Sequence, residues 1–528
     1  MKRLFTLFAM LLMASISLTA QEILTPKAPD TPRINGAKVY GNYPGSDFLY
    51  RIPATGVRPM TFEAVGLPKG LKLDKETGII SGVVKKAGEY NVVLKATNSL
   101  GTCERNFRIV IGDKLALTPP LGWNSWNCFE RKVTQEQVKA MADAMVSSGL
   151  ADYGWSYVNI DDSWQGLRDE KSKVLMPNYK FPDMKELTDY IHSLGLKAGI
   201  YSGPWIQSYG GYLGEGCDNP DGKYWWIEKG MHHPDYRFTD PEKKRRHVEN
   251  WYHVKYSFAE IDAQQWADWG FDYLKYDWNV IDWYHLEKMY KALKATGRSM
   301  IYSISNTAPY GIAPKLAEMA HCWRTTRDIE DTWESMSTIG FGGQDGWAPY
   351  KKPGNWPDAD MLVVGKVGWG KKLHDTQLTP DEQYTHISLW ALLASPLLIG
   401  CDLTQLDDFT LGLLTNSEVI DINQDSFGYQ ASRFLSTEEE VIYVKPLDDN
   451  SIAVGLFNLG TQSRKIGFRP IDLGMIEPQT VRDVWRQKDL GEVTFKETYE
   501  VEVAPHGVVL LRLYPGITQD QPMGYTRR

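Results

Sequence analysis

The chain has 528 residues, of which 42% are hydrophobic and 23% are charged, so it can form a large core and more than one domain. This composition excludes a disordered, collagen-like or coiled-coil protein. The formal net charge is −8 and the isoelectric point about 5.8, and such an acidic chain lacks the basic face that nucleic-acid binding requires.

Residues 1–20 have the pattern of a secretory signal peptide. Lys2 and Arg3 precede an apolar run from Leu4 to Leu18, and Ala20 ends a small-residue cleavage site. No cysteine follows that site to carry a lipid, and no later apolar run is long enough to span a bilayer. We therefore expect an exported protein, periplasmic or extracellular, without a membrane span.

Residues 23–112 read as an all-β domain. Segments 90–96 and 105–111 have strand composition with roughly alternating polarity, and Gly-containing turn signals separate the apolar runs. The string from Gly66 to Gly82, together with the segment from Ala96 to Gly101, resembles the immunoglobulin-like modules of many secreted bacterial enzymes. Because the segment lacks clustered aromatic residues, we interpret this β-sandwich as a spacer or packing domain rather than a sugar-binding module.

Residues 113–415 alternate short apolar strands with amphipathic helices, which predicts a (β/α)8 barrel. A doubly wound open sheet is the alternative, but no Gly-rich phosphate loop follows the first strand. The predicted strands are 121–123, 157–160, 197–201, 273–276, 300–303, 322–324, 360–364 and 397–401.

Helix start and stop signals lie between these strands. Residues 134–137 form a capping box, with Gly149 available to end that helix. Residues 183–186 open a second helix that ends before Gly195, and residues 262–265 are predicted to open a third that ends at Gly270.

Residues 425–515 return to β character and predict a second, antiparallel β-sandwich packed on the barrel. Its clearest strands are 440–445, 452–458 and 507–513. The five cysteines are widely spaced and odd in number, so they are not a disulfide framework, and Cys322 and Cys401 lie in apolar runs where we expect them to be buried and reduced.

Chemically active side chains recur where the predicted barrel strands end. In a barrel these carboxyl ends meet on one face, where active sites lie. A single strand-end Asp commonly caps a turn, but several acids on one rim with Lys, Arg, Trp and Tyr are hard to explain by stability alone. The residues are Trp123, Asp161, Asp162, Tyr201, Lys275, Asp277, Ser305, Arg324, Asp328 and Asp360.

Asp277 and Asp328 are the candidate catalytic pair, because glycoside hydrolysis needs two carboxylates. Lys275 points to the same face as Asp277 and could keep it ionised, as a nucleophile requires. Asp328 must be protonated when it acts, which calls for a drier setting or a nearby negative charge. A metal at Asp161 and Asp162 is the rival interpretation, but without His partners, a DxDxDG loop or a CxxC motif we expect no metal.

The motifs resemble glycoside hydrolase family 27, the α-galactosidases and α-N-acetylgalactosaminidases, over residues 114–515. They include Pro120-Leu-Gly-Trp-Asn-Ser-Trp126, Asn159-Ile-Asp-Asp-Ser-Trp164, Tyr273-Leu-Lys-Tyr-Asp277 and Trp356-Pro-Asp-Ala-Asp-Met-Leu362. The resemblance implies a retaining mechanism without a cofactor, Asp277 as nucleophile, Asp328 as acid/base, and carboxylates about 5–5.5 Å apart. It also implies a sugar-binding shell of Trp123, Asp161, Asp162, Tyr201, Lys275, Arg324 and Asp360.

Two positions depart from the pattern of the family. Members often carry a cysteine just after the nucleophile, bonded to the loop after strand three; here Trp278 follows Asp277, so Cys217 lacks that partner. Small residues, Ser305 and Ala308, occupy the positions near the sugar 2-substituent, as in α-N-acetylgalactosaminidases. A differently built loop at this point explains them equally well.

We therefore expect an exo-glycosidase that removes terminal α-linked galactose from an oligosaccharide or glycoconjugate. The presence of Asp162 favours a sugar with a 6-hydroxyl over an arabinopyranose. An α-N-acetylgalactosaminidase is the alternative of the same class, and a non-catalytic carbohydrate-binding protein is the alternative of a different class.

Overall fold

A computed structural model describes residues 22–228 and 251–516. The predicted signal peptide lies outside these described residues. Within them, no helix is both long enough and apolar enough to cross a membrane.

The first domain is a β-sandwich, as the sequence predicts. A four-stranded sheet faces a three-stranded one, and Phe48, Phe62 and Phe107 are buried between them. The strands of the domain are Arg33–Ile34, Val39–Asn42, Asp47–Arg51, Ala54–Thr55, Thr61–Val65, Leu71–Leu73, Ile79–Val83, Gly88–Asn98 and Gly101–Ile111.

The second domain contains eight parallel strands in one sheet. A bridge between Leu362 and Ile399 joins the segment after the seventh strand to the eighth, so the sheet closes into the predicted barrel. The strands are β1 Leu121–Asn124, β2 Tyr157–Asn159, β3 Lys197–Ser202, β4 Tyr273–Asp277, β5 Ile301–Ser305, β6 Cys322–Arg324, β7 Trp356–Asp358 and β8 Leu397–Ile399.

The prediction for the seventh strand, residues 360–364, is wrong. The paired segment is Trp356–Asp358, which hydrogen-bonds in register with β6. Asp360 has φ +85°, a left-handed conformation that ends an extended strand. The apolar run after it is buried and touches β8 only near Leu362, so burial and not strand pairing explains its composition.

The helices surround the barrel, and two of the three predicted start signals are confirmed. Thr134 forms a capping box at the start of α1, and the Asp183 side chain accepts a hydrogen bond from the Glu186 amide at the start of α2. The helices are α1 Gln135–Ser147, α2 Met184–Ser193, α3 Ala259–Trp269, α4 Trp283–Ala295, α5 Ala313–Met319, α6 Trp333–Ser337, α7 Pro380–Leu392, α8 Asp408–Leu414 and α9 Ser417–Asn423.

The predicted start of the third helix is wrong, although its end at Gly270 is confirmed by a left-handed φ of +101°. The helix begins at Ala259, and Asp262 lies within its first turn. The Asp262 carboxylate pairs with Arg168 at 2.6 and 2.7 Å, and both side chains are fully buried. Asp262 therefore anchors a loop instead of capping the helix.

Two short helices and three short antiparallel strand pairs lie in the loops that follow the barrel strands. They are the helices Trp126–Phe129 and Trp225–Glu228 and the antiparallel pairs Gln165–Arg168 with Leu175–Pro177, Gly216–Cys217 with Tyr256–Ser257, and Lys366–Val367 with His374–Asp375.

The third domain is the predicted antiparallel β-sandwich. It packs on α7, where the Trp485 indole N–H donates to the Ser388 hydroxyl at 2.8 Å. Its strands are Ser432–Ser436, Glu440–Pro446, Ile452–Asn458, Arg464–Phe468, Gln479–Asp483, Lys488–Val493, Tyr499–Val503 and Val508–Pro515.

The first domain packs against the amino-terminal end of the barrel strands. Arg51 donates to the Leu194 carbonyl at 3.1 Å, and the Tyr43 amide donates to the Ser299 hydroxyl at 2.8 Å. A cavity of about 430 Å³ lies at this junction, with Tyr40, Lys197 and other residues of both domains in its wall. The opposite end of the barrel, which contains the carboxyl ends of the strands, is not covered by the first domain and contains the candidate active site.

Candidate active site

Asp277 is the last residue of β4, and its carboxylate lies at the carboxyl end of the barrel. Its Oδ2 accepts a hydrogen bond from the Tyr201 hydroxyl at 2.9 Å, and its Oδ1 accepts one from the Asn306 side-chain amide. Burial raises the pKa of Asp277 to about 7, against the lowering effect of Lys275 and the Tyr201 hydroxyl. The negative charge of Asp328 raises this pKa further.

Lys275 pairs with Asp161 rather than directly with Asp277. Its ammonium lies 2.7 Å from Asp161 Oδ2, and this pair crosses the barrel from β4 to the end of β2. Burial lowers the pKa of Lys275, but the carboxylates of Asp161 and Asp277 raise it by more, so the lysine stays charged. Lys275 lowers the pKa of Asp277, as a nearby cation is expected to do, but burial raises that pKa by more.

Arg324 pairs with two of the predicted acids, Asp328 and Asp360. Its guanidinium lies 2.8 Å from Asp360 Oδ1 and 3.2 Å from Asp328 Oδ1, and Asp360 Oδ2 accepts the Ile329 amide at 2.7 Å. The Asp360 side chain is buried, whereas that of Asp328 is 77% exposed. Asp360 therefore fixes the arginine, and the arginine holds Asp328 at the open mouth of the site.

The pKa of Asp328 is shifted in the opposite direction to that of Asp277. Partial desolvation raises the pKa of Asp328, but the Arg324 guanidinium and the Lys275 ammonium lower it by more, so it lies below its usual value. Of the two settings expected for Asp328, the side chain lacks the drier one in the free protein, because it faces water, but the negative charge of Asp277 is nearby.

Asp162 is buried, and its carboxylate ties β2 to the loop after β3. Its Oδ2 accepts the Gly210 amide at 2.6 Å, and its Oδ1 accepts the Ser163 amide, also at 2.6 Å. Burial raises the pKa of Asp162 to about 6, and the charge of Asp161 adds to this rise. The structure thus brings Asp162 into the same charge network as Asp161.

Trp123, Ser305 and Ala308 are all buried. The Trp123 indole N–H donates to the Cys401 carbonyl at 2.8 Å, and its ring is 0% exposed. Trp123, expected in the sugar-binding shell, is therefore covered in the free protein and supports the floor of the site. Ser305 is the residue of β5 directly opposite Asp277 in the sheet register.

Sequence reasoning missed Asn306 and Tyr209. Asn306 adopts φ +75°, a conformation that Asn tolerates better than most residues, and this turns its amide toward Asp277. The same amide donates to the Tyr209 hydroxyl at 3.2 Å. The available signal was the position of Asn306 just after a predicted strand; for Tyr209, in a long loop, no such signal exists.

The loop that carries Tyr209 is held by buried charges. Arg168 donates to the Gly214 and Glu215 carbonyls at 3.1 and 3.2 Å while it pairs with Asp262. The Glu215 carboxylate accepts hydrogen bonds from the hydroxyls of Tyr276 on β4 and Ser257. A buried pair of this kind positions a loop more than it stabilises the fold.

The cysteine expectations are confirmed. All five cysteines lie in the described part of the chain and are free, and Cys322 and Cys401 are buried. Cys217 is buried without a disulfide, and Trp278 occupies the position after Asp277, so the loop after β3 is held by the Arg168 contacts instead.

Comparison with known proteins identifies the family. The sequence model described as Alpha galactosidase A matches residues 118–222 and 245–425. The chain belongs to this family. Models of the alpha-galactosidase C-terminal beta sandwich domain and of an Ig domain match residues 437–513 and 31–112. The resemblance to glycoside hydrolase family 27 is confirmed, and the chain is a glycoside hydrolase.

Individual relatives are 30–35% identical to this chain over the residues that they match. Alpha-galactosidase 2 of Arabidopsis thaliana is 35% identical, covering 77% of this chain and 92% of its own length. Alpha-N-acetylgalactosaminidase of Gallus gallus is 30% identical, covering 78% and 98%. A crystal structure from Bacteroides fragilis NCTC 9343 is 35% identical, covers 93% of this chain and 100% of that chain, and has a TM-score of 0.81.

Proposed function

We propose that this protein is a retaining α-galactosidase that releases terminal galactose from oligosaccharides or glycoconjugates. The observation that carries the proposal is a pair of carboxylates at the carboxyl end of the barrel, Asp277 as the last residue of β4 and Asp328 in the segment after β6. Two carboxylates of this kind are what glycoside hydrolysis requires. Their presence also leaves the non-catalytic carbohydrate-binding alternative without support.

In the proposed reaction, Asp277 attacks the anomeric carbon while the proton of Asp328 moves to the glycosidic oxygen. The carbon–oxygen bond to the leaving group breaks and an ester to Asp277 forms. Water then attacks the same carbon, its proton goes to Asp328, and Asp277 is released. Tyr201 and Asn306 donate to Asp277 throughout, which fixes the orientation of the nucleophile.

The reaction starts only when the shared proton lies on Asp328, whereas in the free protein the pKa order favours Asp277. A bound sugar would cover the exposed Asp328 carboxylate and exclude water from it, which raises the pKa of a carboxyl group. Substrate binding therefore moves the proton in the productive direction. In the second step Asp277 is an uncharged ester, so its charge no longer raises the pKa of Asp328, and Asp328 beside Arg324 is ionised, as a general base must be.

Replacing Tyr201 by Phe should lower the plateau of the kcat/KM–pH profile and shift its basic limb to higher pH, because in the free protein Asp277 has the higher pKa of the two carboxyl groups. The Tyr201 hydroxyl lowers the pKa of Asp277, so its removal raises that pKa and leaves less protein with Asp277 ionised while Asp328 is protonated. At pH 6 we expect kcat/KM to fall about 10–100-fold, the usual worth of a hydrogen bond to a charged group.

The control for this variant is Tyr302→Phe. Tyr302 is also buried, but its hydroxyl donates to the Leu286 carbonyl at 3.3 Å, outside the Asp277 network. Its pH profile should match that of the wild type. If Tyr201→Phe also left the profile unchanged, Tyr201 would have no role at the nucleophile.

The direct test of function is hydrolysis of an aryl α-galactoside against an aryl α-N-acetylgalactosaminide by the purified protein. Preference for the galactoside, with α-galactose as the first product seen by NMR, supports the proposal. β-Galactose as the first product would overturn the retaining mechanism, and hydrolysis of neither substrate would overturn the α-galactosidase assignment.

An α-N-acetylgalactosaminidase is the second candidate, because small buried residues line the rim beside Asp277. Ser305 and Ala308 are only 3% and 4% exposed, and their short side chains leave room for a 2-acetamido group. Asn306, however, reaches Asp277 from the same loop and can hydrogen-bond a free 2-hydroxyl. For this reason we propose α-galactosidase as the first candidate. Faster hydrolysis of the aryl α-N-acetylgalactosaminide would make α-N-acetylgalactosaminidase the first candidate instead.

We also propose that the protein is exported, on the basis of the charged and apolar pattern of residues 1–20. Amino-terminal sequencing of the protein from the periplasm or medium of an expressing bacterium would then begin at Gln21. An intact Met1 on soluble protein inside the cell would contradict export.

A further inference from the structure

Two histidines and an aspartate that are far apart in sequence meet beside the active-site loop. The His285 Nδ1 atom lies 2.8 Å from Asp282 Oδ2, and the His253 Nε2 atom lies 3.6 Å from the same oxygen. One ligand atom from each of the three residues lies within 4.8 Å of the others. No other group of three such side chains with this spacing occurs among residues 22–228 and 251–516.

We propose that His253, Asp282 and His285 bind a divalent transition-metal ion such as Zn²⁺. Imidazole and carboxylate are ordinary ligands of zinc, with bonds of about 2.0–2.2 Å. In a tetrahedral site such bonds place ligand atoms about 3.3 Å apart, so the separations of 2.8 and 3.6 Å bracket the required value. Three protein ligands leave a fourth position for water.

The surroundings of Asp282 suit a metal ligand. The Trp278 indole N–H donates to Asp282 Oδ2 at 3.2 Å, and the His285 amide donates to Asp282 Oδ1 at 3.0 Å. These donors hold the carboxylate in one orientation, as outer-shell hydrogen bonds do in known metal sites.

One rearrangement is needed before an ion can bind. The two imidazole rings are stacked, with centroids 3.7 Å apart and planes 10° apart. A ring nitrogen binds metal in the plane of its ring, so one ring must turn about its side-chain bonds. His253 has room to do so, because its side chain is 34% exposed.

The proposed ion would connect the loop after β3 to the start of α4. His253 lies on that loop and contacts the Trp205 ring at a centroid distance of 6.4 Å, and Trp205 in turn contacts Tyr209 at 5.2 Å. Tyr209 accepts the hydrogen bond from Asn306, which also donates to Asp277. Metal binding would therefore restrain one wall of the active site without touching the reacting atoms.

The test is a titration of chelator-treated, tag-free protein with Zn²⁺ by calorimetry, and with Co²⁺ by visible absorption. We expect one site per chain, and His253→Ala and His285→Ala should each weaken binding more than about tenfold. His253→Gln should do the same while it preserves side-chain volume. Activity on the aryl galactoside shows whether each variant is folded.

Two matched controls separate this site from adventitious binding. His374 lies 3.3 Å from Asp331 but belongs to no such three-residue group in the described chain, so His374→Ala should bind Zn²⁺ as the wild type does. Cys103, the cysteine that is not buried, is removed in Cys103→Ser for the same purpose. No stoichiometric binding by the wild type, or unchanged binding in all His253 and His285 variants, would overturn the proposal.

Discussion

Asp277→Asn is expected to reduce kcat/KM for aryl α-galactosides about 10⁴-fold or more and to leave the fold intact. An amide cannot form the covalent intermediate, and loss of a nucleophile that acts in concert with an acid removes nearly all of the chemical step. In Asp277→Ala, added azide should enter the vacated space and restore release of the aryl group, with a β-glycosyl azide as product. Wild-type activity in Asp277→Asn would refute the nucleophile assignment.

Asp277→Asn should also be more stable than the wild type in alkaline buffer. The pKa of Asp277 is about 7 in the folded protein, well above the ordinary value of 3.8, so the folded state holds a proton that the unfolded chain has lost. Ionisation of Asp277 therefore lowers the free energy of unfolding progressively as the pH rises from about 4 through 7. Asparagine carries no such charge, so its Tm advantage should be larger at pH 8 than at pH 5.

Asp268→Asn is the matched control for both measurements. Asp268 is exposed on α3 and accepts a hydrogen bond from Gln264 at 2.8 Å, at the base of the barrel rather than at its catalytic rim. Its substitution should leave kcat/KM unchanged, and its Tm difference from the wild type should not grow with pH. A pH-dependent gain in this control would show that the effect belongs to net charge and not to Asp277.

Asp328→Ala should reduce kcat about 10³–10⁴-fold for a galactoside with a sugar leaving group, and far less for one with a dinitrophenyl leaving group. A poor leaving group needs the proton that Asp328 supplies, whereas an activated phenolate leaves without it. The pH–rate profile for the activated substrate should also lose its basic limb. Arg324 keeps its pair with Asp360 in this variant, so the rim should stay in place.

Glu330→Gln is the control for Asp328→Ala. Glu330 is an exposed acid two residues further along the same loop, and its backbone amide donates to the Ser335 hydroxyl at 2.9 Å. Its activity on both substrates should equal that of the wild type. Equal losses on both substrates in Asp328→Ala would contradict its role as the acid/base.

The architecture was predictable because its signals are local. Caps such as Thr134 and Asp183 act within one helical turn, and buried parallel strands are short apolar runs. The error at the seventh strand has a tertiary cause: an apolar run after Asp360 is buried whether or not it pairs. The misplaced start of α3 has a similar cause, since Asp262 bonds to Arg168, 94 residues away.

The candidate site was predictable where a strand end fixes the side chain. Asp161, Lys275, Asp277 and Arg324 come together because barrel geometry brings the carboxyl ends of the strands to one face. The pKa values could not be inferred in the same way, because they depend on burial and on which acid Lys275 pairs with. Loop residues such as Asn306 and Tyr209 carry no periodic pattern that would place them.

The contact between the first domain and the base of the barrel makes that domain part of the packing that buries the amino-terminal ends of the barrel strands. Lys197 at the start of β3 is buried, and its ammonium lies 4.0 Å from the centroid of the Tyr40 ring of the first domain. A chain shortened to the catalytic and third domains would turn this lysine and the aromatic residues around it toward water. Replacing the first domain by that of a relative therefore requires a surface that is complementary to the base of this barrel.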